Sequence, residues 1–218
     1  MFESYLNGVF ANPGKDCEKK NLKEVTTKIG SGATPLGGEK SYKTNGISLI
    51  RSLNVHDYNF KLKDLAFIDD KQADLLSNVS VESGDVLLNI TGASIARCCI
   101  VPDNILPARV NQHVSIIRLM KNIVLPEYLH YFLISKVIKD KLLITGEKNG
   151  ATRQALTKAL IENFKVYYPS LKEQKTIVAK LDSLSSETKQ LEEIYRQKIA
   201  SLDELKQSIL NKAFNGEL

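Results

Sequence analysis

The chain has 218 residues, 43% of them hydrophobic and 25% charged, with a formal net charge of +5. This is the composition of an ordinary folded protein, long enough for one large domain or one domain with an appendage, and it excludes a disordered tail. No apolar run approaches a membrane span, the start Met1-Phe2-Glu3-Ser4 is not a basic, apolar signal peptide, and Cys17, Cys98 and Cys99 lack metal-ligand spacing, so a reducing cytoplasm is expected.

Residues 1–10 read as a helix end, stopped by Asn12-Pro13-Gly14. Residues 22–29 are weakly apolar and lead into the loop Gly30-Ser31-Gly32-Ala33-Thr34-Pro35, followed by a second loop over 36–40. Residues 47–50 are a short strand, and 69–76 a short helix capped by Asp69 or Asp70. Residues 85–90 are a strand entered from the turn Glu82-Ser83-Gly84. After the loop Thr91-Gly92-Ala93-Ser94, residues 97–101 return as the second strand of a hairpin. Residues 114–119 are a further strand. Pro126 begins a helix that runs to about 140, with Leu129, Phe132, Leu133 and Val137 on one face. Residues 145–152 are a polar loop; a helix through Leu156, Leu160 and Ile161 and a strand over 164–168 follow.

From Leu171 to Phe214 there is neither Gly nor Pro. Ser170 caps this stretch, with Glu173 completing a capping box. Ile177, Leu181, Leu184, Thr188, Leu191, Tyr195, Lys198, Leu202, Leu205 and Ile209 succeed one another at spacings of four and three. That is a heptad seam, narrow enough to want one facing helix, on a rod of roughly 65 Å. The fold class expected is therefore α+β: a mixed globular part followed by a long C-terminal coiled-coil helix. Residues 171–218 carry eight Lys/Arg and eight Asp/Glu, so the whole positive excess sits on residues 1–170. A basic surface for phosphates and a modest solubility charge explain this equally well.

Residues 3–10 echo residues 207–214 at a constant offset of 204, with Ser, Leu, Asn and Phe identical at the matched places. A unit whose end resembles its beginning reads as one copy cut from a tandem or cyclic repeat.

No motif of catalysis is present: no nucleophile elbow, P-loop or dinucleotide fingerprint, and His56, His113 and His130 are far apart in sequence. No cofactor and no metal site is expected. Residues 136–165 hold seven basic residues against three acids around the loop Gly146-Glu147-Lys148-Asn149-Gly150-Ala151-Thr152-Arg153-Gln154. Such a loop suits phosphates and base edges; a solvated basic helix face is the plainer reading.

A series of short motifs points further. They are Gly30-Ser31-Gly32-Ala33-Thr34-Pro35, Gly46-Ile47, Leu53-Asn54-Val55, Gly84-Asp85-Val86-Leu87-Leu88, Thr91-Gly92-Ala93-Ser94-Ile95 and Asn111-Gln112-His113. Tyr128-Leu129, Gly150-Ala151-Thr152-Arg153-Gln154-Ala155-Leu156, Pro169-Ser170-Leu171-Lys172-Glu173-Gln174 and the closing run from Leu205 to Leu218 complete the order. In this order they resemble the specificity subunit of type I restriction-modification enzymes, over nearly the whole chain. The resemblance implies a non-catalytic, sequence-specific DNA-binding protein. Its target recognition domain would cover 13–170, after a helical end segment at 1–12 similar to the tail of a preceding conserved helix. The long helix at 171–218 would serve dimerisation and spacing.

Members of the family carry two such units, and this chain carries one, which implies either a half-subunit that dimerises antiparallel or a fragment of a longer protein. The partners implied are double-stranded DNA, methylation subunits that bind S-adenosylmethionine, and restriction motor subunits that use ATP. Base readers are expected among Arg51, Asn54, His56, Arg109, Asn111 and His113, and phosphate contacts among Lys43, Thr91, Ser94, Lys148, Thr152 and Arg153. Dimer contacts are expected from Ile177, Leu181, Leu184, Leu191, Tyr195, Leu202, Leu205 and Ile209. The rival reading is a coiled-coil adaptor whose globular domain binds protein.

Overall fold

The computed structural model describes residues 1–14, 16–147 and 155–216. The chain opens with α1 (Phe2–Ala11), β1 (Glu18–Asn21), β2 (Thr26–Ser31), β3 (Ile47–Ile50), β4 (Val55–His56), β5 (Asn59–Phe60) and β6 (Ala66–Ile68). It continues through α2 (Asp70–Leu75), β7 (Ser80–Val81), β8 (Val86–Asn89), β9 (Cys98–Ile100), β10 (Ala108–Val110) and β11 (Val114–Leu119). Then come α3 (Pro126–Ile134), α4 (Lys136–Glu147), α5 (Lys158–Asn163), β12 (Lys165–Tyr168) and α6 (Leu171–Phe214). The α+β class and the long closing helix expected from sequence are both present.

Two four-stranded sheets organise the globular part. One has the order β2-β11-β8-β9, antiparallel throughout; the other has the order β6-β3-β10-β7, with β3 and β10 parallel. The first sheet is covered on both faces. Val86, Leu88, Cys98 and Ile117 pack into one core with the helices, while Leu87, Cys99, Val114 and Ile116 pack into a second core with the other sheet. This explains the apolar run Val86-Leu87-Leu88 of β8, whose four residues, Asn89 included, are all buried: a strand covered on both sides needs no polar face. Burial pushes the Cys98 thiol pKa well up and that of Cys99 to about 12, so both act as small apolar residues.

The helix expected from Pro126 to about 140 is two helices. Ser135 adopts ψ of 135° and breaks it. The Ser135 hydroxyl donates to the Phe132 carbonyl at 2.8 Å, and its own carbonyl accepts the amides of Ile138 and Lys139. The first free amide of α4, at Lys136, donates to Asn7 Oδ1 of α1 at 2.8 Å. A serine with these local bonds can end one helix and start the next. The helix also runs past Thr145, where a loop was expected, as far as Glu147; the remainder of that loop, 148–152, lies outside the described residues.

The root of α6 is fixed by polar bonds. Ser170 and Glu173 form the expected capping box. Gln174 is fully buried; its Oε1 accepts the Leu125 amide at 2.9 Å, and its Nε2 donates to the carbonyls of Ile123 (3.0 Å) and Pro169 (2.9 Å). About two turns further the Tyr131 hydroxyl donates to Asp182 at 2.6 Å. Leu181 and Leu184 are buried in the core with Phe2, Leu6 and Phe10 of α1. Leu181 and Leu184, expected as dimer contacts of the seam, are thus covered within their own chain by α1 and the globular core. The bare part begins at Leu191. Leu191, Tyr195, Leu202, Leu205 and Ile209 are 47% to 64% exposed.

Among the described residues no helix is long and apolar enough to cross a membrane.

A half-buried polar knot joins the β4–β5 hairpin to the helices. Asp57 accepts the Cys98 amide at 3.1 Å and pairs with Lys139 at 2.6 Å. The Asp57 carbonyl accepts from His130 Nε2. Burial holds the His130 pKa below its ordinary 6.5, and burial lowers His56 likewise. Protons then bind the unfolded chain better than the folded one, so stability is full above pH 6.5 and falls as pH drops below it. Urea midpoints should therefore decline between pH 7 and 5, and His130→Gln should flatten that decline.

Candidate nucleic-acid interface

Three of the sequence motifs meet at one place. Gly32 donates its amide to the Asn111 carbonyl at 3.1 Å. A side chain at Gly32 would clash with the Val110 carbonyl oxygen, 1.7 Å from the Cβ position, so only glycine lets this loop lie against β10. Ile90 donates its amide to the His113 carbonyl at 3.0 Å, which brings the loop after β8 to the same spot. Thr91 forms an isolated bridge with Ala155, and the Leu156 amide donates to Ile90. The chain thus re-enters the described structure at Ala155, beside Thr91. Lys148, Thr152 and Arg153, three of the expected contacts, lie outside the described residues.

Side chains at this junction form one relay. The Thr34 hydroxyl donates to Gln112 Oε1. Gln112 Nε2 lies 3.0 Å from His113 Nε2, and His113 Nδ1 lies 2.6 Å from Thr91 Oγ1. One assignment satisfies every donor: the Gln112 amide donates to Nε2, and Nδ1–H donates to Thr91. With that bond accepted, Thr91 Oγ1 keeps its own proton for a further acceptor. Ser94 is prepared in the same way, because its Oγ accepts Asn89 Nδ2 at 3.0 Å. Two hydroxyls oriented by their neighbours are the equipment of a phosphate or base-edge contact.

The basic surface lies along β2. Lys23, Lys28 and Lys158 line a groove of about 560 Å³ with Thr27, Ser31, Asn78 and Glu162, which pairs with Lys158 at 3.6 Å, and Thr34 follows Ser31 by three residues. Lys28 stands directly opposite Arg118 in the β2–β11 ladder. Arg118 takes the two carboxylates nearest Lys28: Nε and Nη2 donate to the fully buried Asp85 at 2.8 Å each, and Nη1 pairs with Glu82. Burial and the facing Arg118 cation hold the Lys28 pKa below its ordinary value. An ammonium in that position gains from an incoming anion.

The other expected contacts are placed elsewhere. Asn54 is fully buried; its Oδ1 accepts the Arg51 amide at 3.0 Å and its Nδ2 donates to the Lys61 carbonyl at 2.9 Å. Asn111 is buried and accepts the His113 amide at 3.0 Å. Both asparagines are loop-formers whose side chains are committed within the fold, so neither is kept as a base reader. Arg51 pairs with Glu39 at 2.8 Å, donates to the Asp64 carbonyl at 2.7 Å and lies over the Tyr42 ring. Arg109 donates to the Ala73 and Ala108 carbonyls at 3.1 and 3.0 Å. His56 is held 3.2 Å from the Leu53 carbonyl in the β4–β5 hairpin. Lys43 is exposed and pairs with Asp69 at 3.2 Å. Thr91, Ser94 and His113 are the expected residues that come together. Thr34, Gln112, Lys23, Lys28 and Lys158 were not singled out from sequence. The first two stood inside the quoted motifs, and Lys28 occupies one position of a short, weakly alternating strand.

Known proteins resemble this chain along its length. The family described as type I restriction modification DNA specificity domain matches residues 14–201. The type I restriction enzyme EcoBI specificity subunit of Escherichia coli is 33% identical over 175 residues, covering 80% of this chain and 36% of the relative. A solved chain from work on complex assembly and conformational transition of the type I R-M system superposes with a TM-score of 0.77 at 23% identity, over 100% of this chain and 51% of the other. The HsdS subunit from Thermoanaerobacter tengcongensis gives 0.66 at 21% identity, over 100% and 50%. This chain spans about half the length of those solved chains and about a third of the EcoBI subunit.

Proposed function

We propose, from the premise that this chain belongs to the type I restriction-modification DNA specificity domain family, that it reads one half of a bipartite DNA site. The globular part at 13–170 is the target recognition domain, α6 is the spacer, and a second copy packed antiparallel along the bare seam reads the other half. The chain itself carries out no chemistry. Methylation subunits bring S-adenosylmethionine to the adenines it selects, and motor subunits bring ATP-driven cleavage, in the cytoplasm. The observation that carries this reading is the relay of Thr34, Gln112, His113 and Thr91, which begins three residues along the chain from Ser31 of the groove that holds Lys23, Lys28 and Lys158. A hydroxyl relay beside cations suits a phosphate backbone and the base edges next to it.

Fluorescence anisotropy on duplex DNA tests it. Affinity should fall steeply with salt, and Lys28→Gln should reduce the salt slope by about one, as expected for one phosphate contact. His113→Ala should weaken binding about tenfold, equivalent to about 1.4 kcal/mol, without moving the urea midpoint by more than the loss of one surface bond. Salt-independent binding, or no binding, would instead favour the protein-binding adaptor.

A further inference from the structure

The echo between the two ends of the sequence has a structural counterpart. Its four identities pair Ser4, Leu6, Asn7 and Phe10 with Ser208, Leu210, Asn211 and Phe214. Three of these are the residues that seat α1. Leu6 is fully buried and Phe10 is 5% exposed. The Phe10 ring meets Tyr128 and Phe132 edge-on at 5.4 and 5.6 Å between centroids. Asn7 caps α4 through the Lys136 amide. On α6 the matching side chains are bare: Leu210 is 39% exposed and Phe214 87%. Identities that merely reflected helix composition would fall on the outer face as readily as on the anchors.

We infer that the seat of α1 is a socket for two helices: α1 of the same chain, or residues 207–214 of a second copy. This rests on the antiparallel dimer proposed above, in which the end of one α6 arrives at the other copy's globular part. The differences between the two plugs set the balance. Phe2 is buried against Tyr58 and Tyr131, and its counterpart is Lys206, so α1 holds the socket in a single chain. Glu3, which accepts the Tyr58 hydroxyl, is matched by Gln207, whose amide oxygen can also accept. In the dimer the seam delivers the tail at an effective concentration on the order of millimolar. Assembly then lets the tail displace α1, and the chain passes from a plug in cis to a plug in trans.

Hydrogen exchange on the full chain, at concentrations below and above dimer formation, tests this. Amides of 207–214 should gain protection as those of 2–11 lose it. Leu210→Ala with Phe214→Ala, both exposed in a single chain, should abolish the exchange of protection. Leu6→Ala should lower the concentration of half-dimerisation severalfold, and adding Leu210→Ala should cancel that gain. Tail protection that rises while α1 stays protected would overturn the socket and leave the dimer standing. A chain that light scattering finds monomeric throughout, with neither change, would overturn both. Should Leu6→Ala fail to fold, the wild-type exchange decides alone.

Discussion

Leu202→Asp is expected to turn the proposed dimer into a monomer whose globular part melts as before. Leu202 is 64% exposed in a single chain and lies in the bare stretch of α6, so the substitution removes no contact within the chain. In an antiparallel pair it would place a carboxylate among the apolar seam residues Tyr195, Leu205 and Ile209, and desolvating it there costs several kcal/mol even with Lys198 on the same seam. A loss of about 4 kcal/mol weakens association roughly a thousandfold. Light scattering at micromolar concentration should then report one chain, while thermal unfolding of the sheets stays where it was. Leu184→Asp supplies the contrast. Leu184 is 7% exposed inside the core shared with α1, so that variant should unfold the protein rather than separate it. If Leu202→Asp leaves the molecular mass unchanged, the bare seam is not the interface.

This contrast marks where sequence reading stops. The heptad spacing runs evenly from Ile177 to Ile209, and nothing in it distinguishes the portion covered by α1 from the portion left bare. That division depends on where α1 packs, which is a tertiary fact. The long elements were legible because their signals are local and repeated: the Ser170–Glu173 capping box, the Asp69 cap of α2 and the paired apolar runs of β8 and β9 all lie where the residues place them. Strands β4, β5 and β7 have two residues each, too few for any period to register. At the site, residue type alone could not separate Asn111, committed to the His113 amide, from Gln112, which spans Thr34 and His113. Adjacent polar residues of similar chemistry serve the loop and the surface respectively, and only the packing of Gly32 against β10 decides which.

Removing one heptad from the bare rod, residues 192–198, should shorten the gap in the recognised site and leave its half-site bases unchanged. In the proposed dimer, two copies related by a twofold axis would read the same half-site on opposite strands, so the site expected is an interrupted palindrome. The gap then depends on how far apart the rods hold the two domains. Each rod leaves its domain at a fixed angle, because Gln174 ties the root of α6 to Leu125, Ile123 and Pro169, and Asp182 ties it to Tyr131. A loss of seven residues keeps Leu191 in phase with Leu202 and Leu205 and shortens the rod by roughly 10 Å. At about 3.4 Å per base pair, the preferred gap should contract by about three. The same change turns one half-site about a third of the way round the duplex, whose repeat is roughly 10 base pairs. The shortened protein must therefore twist its DNA, and it should bind its new optimum more weakly than the intact protein binds the old one. Selection from random duplexes with both proteins provides the measurement. An unchanged gap would mean that the rods do not set the spacing, and changed half-site bases would mean that α6 takes part in reading them.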